Sequence, residues 1–225
     1  MSRGGYVEIP PIAHDIDWPT GTTGTDRAVL LAHGAGSDRN GTALTATGAR
    51  LAAAGIPTVR FDYPYRTAGR NAPDRPFVLE AATRAAVGLA AEATELSADQ
   101  LVLGGRSMGG RYCSMVAGAE EDPVPCRGLV LLGYPLHPAG KPDQLRTGHF
   151  PRLRMPVLFI SGTRDSLAGR DALETAAKAI PGAVEFHWID DADHSYRIPK
   201  RTGRDPADVL AEVAERAATW VAALP

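Results

Sequence analysis

A serine in a glycine-rich segment is the strongest chemical signal in this sequence. Residues 104–110 read GGRSMGG, which contains the G-x-S-x-G pattern, and they stand between an apolar run that predicts a strand and a stretch that predicts a helix. In such a strand-to-helix turn, the central Ser107 takes a strained backbone conformation and projects from the carboxyl end of a sheet. The flanking glycines leave room for strand and helix to approach. The alternative is a glycine-rich turn with an incidental serine.

A serine hydroxyl is a poor nucleophile at neutral pH, so Ser107 needs a base to accept its proton and a carboxylate to orient that base. Asp165 follows the apolar run VLFISG, and His194 follows the last predicted strand. The spacing predicts a triad in which Ser107 is the nucleophile, His194 the base and Asp165 the acid. The alternatives are a turn or helix-capping role for Asp165 and a surface position in an acidic turn for His194.

Acyl transfer through Ser107 also requires donors for the oxyanion of the tetrahedral intermediate, usually two backbone N–H groups. The N–H of Met108, directly after the serine, is one candidate. The other is the N–H of Ala35 in the segment HGAG, which follows the first clear apolar run. We expect His33 to brace this segment through hydrogen bonds.

Two arginines and a histidine near these segments are candidates for substrate binding. Arg106 precedes the nucleophile, Arg66 lies in the loop after the run RFDYP, and His137 lies in the proline-rich turn YPLHPAGKP. Two converging arginines would favour a substrate with a carboxylate or phosphate, which guanidinium groups bind in a bidentate manner. The alternatives are solvated or locally paired arginines, an Arg106 packed under neighbouring loops, and a His137 that holds its own turn.

Nucleotide-binding patterns are incomplete in this chain. No Lys-Ser or Lys-Thr pair follows the glycines around Ser107, and the segment after His33 lacks the third glycine of a dinucleotide fingerprint. We therefore predict no cofactor and no metal.

The order of elements predicts an α/β fold with a mostly parallel central sheet and helices on both faces. Short apolar runs alternate with longer alanine-rich amphipathic stretches, and Tyr6–Ile9 is a possible edge strand. No linker interrupts residues 1–225, which are expected to form a single domain. The strands are predicted at Ala28–His33, Thr58–Tyr63, Leu101–Gly104, Leu129–Leu132, Val157–Ser161 and Val184–Ile189. The helices are predicted at about Gly41–Ala54, Phe77–Glu95, Met108–Ala119, Arg170–Ala179 and Pro206–Leu224.

Composition limits the possible partners. The 225 residues are 44% hydrophobic and 22% charged, with a net charge of −2, which excludes disorder and gives no global attraction to nucleic acid or to a membrane. Cys113 and Cys126 are too few for a disulfide framework and fit a reducing compartment. Residues 1–14 show no apolar signal region. We expect a cytoplasmic protein with a small-molecule substrate, and make no prediction of its oligomeric state.

The motifs HGAGS, RFDYP, GGRSMGGR, YPLHPAGKP, SGTRD and DADHS together resemble the α/β-hydrolase superfamily, in its dienelactone-hydrolase-like branch. More narrowly, they are similar to a small hydrolase-like domain family shared by bacterial proteins, testis-expressed proteins and a subunit of a chromatin acetyltransferase complex. The resemblance covers about Ala28 to Trp220. It implies an α/β-hydrolase fold and the same roles for Ser107, Asp165 and His194. Dienelactone hydrolases carry cysteine at the position of Ser107, so their lactone substrate is not transferred to this chain.

These observations predict a serine hydrolase that acts on small ester, thioester or lactone substrates through an acyl-enzyme. The roughly twenty residues from Tyr134 to Met155 are too few for a cap domain, which disfavours lipase activity. Two alternatives stay open, because one fold hosts many functions: a catalytically quiet protein-interaction domain and a small peptidase.

Overall fold

A computed structural model describes residues 9–21 and 24–225, and in these residues seven strands form one sheet. Along the sheet the order is β1-β3-β2-β4-β5-β6-β7, in which β1 pairs antiparallel with β3 and every other pairing is parallel. The strands are β1 (His14–Asp17), β2 (Ala28–Ala32), β3 (Thr58–Phe61), β4 (Leu101–Arg106), β5 (Gly128–Leu132), β6 (Val157–Gly162) and β7 (Val184–Ile189).

Six α-helices connect and cover these strands in the described part of the chain. They are α1 (Thr42–Ala53), the single turn α2 (Pro64–Thr67), α3 (Pro76–Thr94), α4 (Met108–Ala117), α5 (Arg170–Ala177) and α6 (Pro206–Ala223). Because parallel strands need crossover connections, these helices divide between the two faces of the sheet.

The strands contribute side chains to two hydrophobic cores, one on each face of the sheet. Successive side chains of a strand point to opposite faces, so Leu30 of β2 packs into the core under α3, α4 and α5, whereas its neighbours Val29 and Leu31 pack into the core under α1 and α6. The three residues have no exposed surface. Burial on both faces explains why the central strands read as continuous apolar runs rather than as alternating patterns.

The predicted α/β architecture, with its six strands and five helices, is confirmed. Two elements were not predicted. Strand β1 reads HDID, and its polar residues gave no apolar signal, whereas α2 is one turn of helix and too short to show a period. The possible strand Tyr6–Ile9 lies almost wholly outside the described residues. The edge strand that the structure shows is β1.

The connection between β5 and β6 contains no helical cap. Its only helical element is the short 3-10 turn Phe150–Arg152. The predicted absence of a cap domain is therefore confirmed. Among the described residues, no helix combines the length and the hydropathy needed to cross a membrane.

The central sheet should carry much of the stability of the fold. Leu103 of β4 is completely buried, so we expect Leu103→Ala to lower the free energy of unfolding by about 2–5 kcal/mol, because the substitution leaves a cavity that the packed core cannot fill. Leu145→Ala is the matched control, since 53% of Leu145 is exposed, and it should change stability by less than about 0.5 kcal/mol. Urea denaturation of the variants measures both values. Equal effects of the two substitutions would contradict this assignment of the core.

Candidate active site

Ser107 occupies the turn between β4 and α4, as the sequence predicts. Its backbone angles are φ 51° and ψ −113°, a conformation that costs a residue with a Cβ about 1–3 kcal/mol. The Ser107 N–H donates to the carbonyl oxygen of Leu132 at 2.9 Å, which ties the turn to the end of β5. The surrounding structure thus holds the Ser107 backbone in a strained, fixed position.

Two glycines allow this turn to lie against the end of β2. A Cβ on Gly105 or on Gly109 would lie 2.2 Å from the carbonyl oxygen of Ala32, far closer than any non-bonded contact allows. The absence of these side chains brings the turn next to the loop that follows β2. This loop contains Ala35.

The side chains of Ser107, His194 and Asp165 form one continuous chain of hydrogen bonds. Ser107 Oγ lies 2.9 Å from His194 Nε2, and His194 Nδ1 lies 2.8 Å from Asp165 Oδ2. Asp165 Oδ1 accepts the N–H of Leu167 at 2.8 Å. The Asp165 side chain is fully buried, whereas 21% of the His194 side chain is exposed. When the Nδ1–H of His194 donates to Asp165, Nε2 is the acceptor that faces Ser107 Oγ, and Nη1 of Arg106 lies 3.4 Å from the same nitrogen.

The loop that carries His194 is packed onto the end of β6. A Cβ on Gly162 would lie 2.2 Å from the carbonyl oxygen of Ala192, so this approach depends on glycine. The N–H of Arg164 donates to the same carbonyl at 2.9 Å, and the N–H of Asp191 donates to Thr163 Oγ1 at 2.9 Å. Asp165 and His194, which are 29 residues apart, are thereby held side by side.

Arg106 binds the loop that carries His194 through contacts with two residues of the loop. Its guanidinium donates to the carbonyl oxygen of His194 and lies 3.4 Å from the carbonyl oxygen of Leu132. It also stacks on the ring of Tyr196, 5.2 Å from the centroid, while the Tyr196 hydroxyl donates to the carbonyl of Ile160 at 2.8 Å. One side chain from β4 thus connects the end of β5 with the loop of the histidine.

The residues of the two predicted oxyanion donors lie around the cavity that Ser107 lines. Met108 is the first residue of α4, so its N–H has no partner within the helix. Ala35 lies in a turn that the Ser37 N–H closes onto the Gly34 carbonyl at 3.2 Å. Both residues line a cavity together with Ser107.

His33 braces the loop of Ala35, as expected. Its Nε2 accepts the N–H of Tyr63 at 3.1 Å, so its Nδ1 carries the hydrogen that is donated to the Gly34 carbonyl at 2.8 Å. His33 is completely buried, and this burial lowers the pKa of its imidazole. The neutral ring therefore supplies one donor and one acceptor, which are the two functions the loop requires.

The cavity beside Ser107 has a volume of about 390 Å³. Apolar side chains and prolines form most of its wall, and three charged side chains reach it, those of Asp74, Arg111 and Arg146. The remaining lining residues are Ala35, Pro73, Leu79, Ser107, Met108, Tyr112, Pro135, Pro138, Ala139 and Leu167. The size suits a small organic group.

The side chains predicted to bind substrate do not line this cavity, because each is engaged elsewhere. Arg106 holds the His194 loop, and Arg66 donates to Asn71 Oδ1 at 2.6 Å. His137 Nδ1 bonds to the carbonyl of Pro138 at 2.9 Å and holds the proline-rich turn, which itself lines the cavity.

The arginines that reach the cavity are instead Arg111 and Arg146. Arg111 flanks the turn of Ser107 in the sequence, as Arg106 does on its other side, and the sequence therefore already marks it as an arginine that could converge on the site. No local pattern in the sequence marks Arg146.

Comparisons with known proteins agree with this fold. A family model described as an alpha/beta hydrolase domain matches residues 25–222. An α/β serine hydrolase homologue from Coxiella burnetii superposes with a TM-score of 0.72 at 18% identity, over 92% of this chain and 90% of that one. A dienelactone hydrolase from Anabaena variabilis gives a TM-score of 0.66 at 21% identity, over 93% and 90%. A Xanthomonas campestris serine hydrolase described as lacking a lid gives 0.64 at 19%, over 96% and 93%.

The close approach at Gly109 gives a stability prediction with an internal control. Gly109→Ala should destabilise the protein by about 1–3 kcal/mol, because its methyl group would overlap backbone atoms of Ala32. Gly88 lies in α3 with nothing near its missing Cβ, so Gly88→Ala should stabilise the protein by about 0.5–1 kcal/mol. Denaturation of the two variants tests the pair. A Gly109→Ala protein as stable as the parent would contradict the packing described here.

The contacts of Arg106 predict the behaviour of the His194 loop. In Arg106→Met, amide hydrogen exchange of residues 190–197 should become faster, because the loop loses its bonds to the guanidinium. Exchange in β2 should stay slow, and Arg164→Met, which changes an exposed arginine, is the matched control. Unchanged exchange of the loop in Arg106→Met would show that Arg106 does not position His194.

Proposed function

The chain belongs to the alpha/beta hydrolase domain family, and we propose that it is a serine hydrolase of small esters, thioesters or lactones that works through an acyl-enzyme. The observation that carries the proposal is the continuous chain of hydrogen bonds from Ser107 through His194 to Asp165, at the edge of a cavity that also contains two candidate oxyanion donors.

The reaction would begin with attack of Ser107 Oγ on the substrate carbonyl carbon. A bond forms between Oγ and this carbon, His194 Nε2 takes the hydroxyl proton, and Asp165 stabilises the resulting imidazolium. The carbonyl oxygen becomes an oxyanion that the N–H groups of Ala35 and Met108 can bind.

Collapse of this intermediate breaks the bond to the leaving group, which takes the proton from His194 Nε2. The product is an ester between Ser107 and the acyl group. A water molecule then attacks the acyl carbon, His194 accepts a proton from the water, and Ser107 leaves with a proton returned from the histidine. The net reaction consumes one water and releases a carboxylic acid.

The substrate class follows from the size of the site. A cavity of about 390 Å³ without a helical cap offers little apolar surface to a long acyl chain. The structural neighbours include a serine hydrolase homologue, a dienelactone hydrolase and a hydrolase without a lid, and they support the same reaction class.

A fluorophosphonate probe tests the nucleophile. It should label the wild-type protein at Ser107, because only an activated serine attacks phosphorus at a useful rate, and Ser107→Ala should lose the label and about 10³-fold or more of the ester hydrolysis. The matched control is Ser114→Ala. Ser114 also lies beside a histidine, at 2.8 Å from His149 Nε2, but it is completely buried in α4. Mass spectrometry of the labelled peptide identifies the residue.

Equal labelling of wild type and Ser107→Ala would remove Ser107 as the nucleophile. Absence of labelling together with absence of turnover on a panel of short esters would favour the interaction domain. Cleavage of peptides without cleavage of esters would favour the peptidase.

A further inference from the structure

Arg111 and Arg146 are unusual among the arginines of the described residues. Most of the others form ion pairs with carboxylates or are exposed to solvent. Apart from Arg106, which bonds to backbone carbonyls, Arg111 and Arg146 are the only arginines in the described part of the chain that are partly buried and have no carboxylate partner. Both line the cavity of Ser107.

The two side chains extend from firmly held backbone. The N–H of Arg111 donates to the Ser107 carbonyl at 3.1 Å, and its guanidinium stacks 4.5 Å above the ring of Tyr112. The Arg146 N–H donates to the Leu136 carbonyl at 2.8 Å, and its own carbonyl accepts the Tyr134 hydroxyl at 2.6 Å. Their positions relative to Ser107 are therefore set by the fold.

Neither guanidinium is satisfied by the protein. Nε of Arg111 is buried and has no hydrogen-bond partner, and the nearest polar contact of this side chain is the thioether sulfur of Met115 at 3.2 Å. No side-chain hydrogen bond from Arg146 to the described residues exists. Burial lowers the pKa of Arg146, and the positive charge of Arg111 lowers it further. Two partly buried cations that repel each other and keep free donors form a site that an anion would stabilise.

The carboxylates that line cavities with these arginines form no ion pair with them. Asp74 lines the same cavity; its Oδ1 accepts from Arg70 at 2.6 Å, whereas its buried Oδ2 has no hydrogen-bond partner and would oppose an anion on its own side of the cavity. Both arginines also line a second cavity of about 660 Å³, whose other charged lining residues are Glu80, Glu120, Glu121 and Arg152. These glutamates would repel an anion from that side. His149, which also lines the second cavity, is neutral at pH 7, because burial and the nearby arginines lower its pKa to about 4.

The position of the cavity indicates which half of a substrate it receives. Ser107 and the two oxyanion donors line it, whereas His194 does not. The leaving group departs beside His194 Nε2, which protonates it, so the cavity lies on the side of the acyl group.

We propose that Arg111 and Arg146 bind a carboxylate at the far end of the acyl group, so that the preferred substrates are half-esters of short dicarboxylic acids. This proposal rests on the proposed serine hydrolase function and narrows its substrate class. A carboxylate fits the planar fork of a guanidinium in a bidentate manner. The product would be a dicarboxylate, and a reaction that forms a monoester or monothioester of such an acid must supply the substrate.

Hydrolysis of two substrates matched in acyl length tests the proposal. Monomethyl glutarate and methyl pentanoate differ in the terminal group of a five-carbon acyl chain, and a pH-stat follows both. We expect kcat/KM to favour monomethyl glutarate by about 10- to 100-fold, the range for a hydrogen bond to a charged group. The pentanoate ester of glycolic acid carries its carboxylate on the alcohol side instead. Its kcat/KM should show no comparable advantage over that of methyl pentanoate.

Substitution of the arginines should remove this preference. The ratio of the two kcat/KM values should fall towards one in Arg111→Met and in Arg146→Met. Arg146→Lys should keep part of the preference for monomethyl glutarate, because lysine retains the positive charge but lacks the planar guanidinium. Arg154→Met is the matched control, because Arg154 is exposed and lines neither cavity, and its ratio should equal that of the wild type. A ratio near one in the wild type, or one unchanged in both methionine variants, would overturn the proposal.

Binding of glutarate gives a readout that does not depend on turnover. Glutarate should raise the melting temperature of wild type and of Ser107→Ala, but not of Arg146→Met. If no ester is hydrolysed and glutarate still binds through Arg146, the hydrolase proposal fails and the anion site stands. If esters are hydrolysed and glutarate does not bind, the anion site alone fails. Stabilisation by inorganic phosphate and not by glutarate would contradict the choice of a carboxylate.

Discussion

The contact between the end of β2 and the turn around Ser107 is the constraint on which the site depends. The carbonyl oxygen of Ala32 lies where a Cβ on Gly105 or Gly109 would be. The end of β2 can therefore approach the turn and α4 this closely only because both residues are glycine. This contact sets two things at once. It places the strained backbone of Ser107, and it brings the loop with Ala35 beside the N–H of Met108. Ser107 and the two candidate oxyanion donors are therefore positioned by backbone packing, without the help of a flexible side chain.

The histidine depends on a different kind of support. His194 lies on a loop between β7 and α6, and its position relies on the close approach at Gly162 and on the guanidinium of Arg106. Because Arg106 and Ser107 are adjacent in the chain, His194 is aligned to the same strand end as Ser107. Asp165 completes the arrangement from β6, and its full burial keeps water from competing for the imidazole.

Structural elements that depend on a local sequence pattern can be predicted from this sequence. Contacts that depend on the direction of a long side chain can be predicted only poorly. The strands, the turn at Ser107 and the positions of Asp165 and His194 follow from apolar runs and from what parallel strands place at one edge. Arg66 and His137 lie near this edge in sequence, but the structure shows them bonded to Asn71 and Pro138. Arg146 was missed because it reaches the cavity from an irregular segment, whose path no periodicity encodes. Strand β1 was missed because its edge position needs no apolar residues.

The short connection between β5 and β6 bears on the fate of an acyl group held on Ser107. A helical insertion at this point would cover the acyl carbon and could exclude solvent until a second acceptor molecule arrives. Here one 3-10 turn and a proline-ordered segment occupy that connection. Water, present at far higher concentration than any alcohol or amine, then competes best for the acyl group. The architecture thus favours hydrolysis over transferase chemistry through kinetic partitioning.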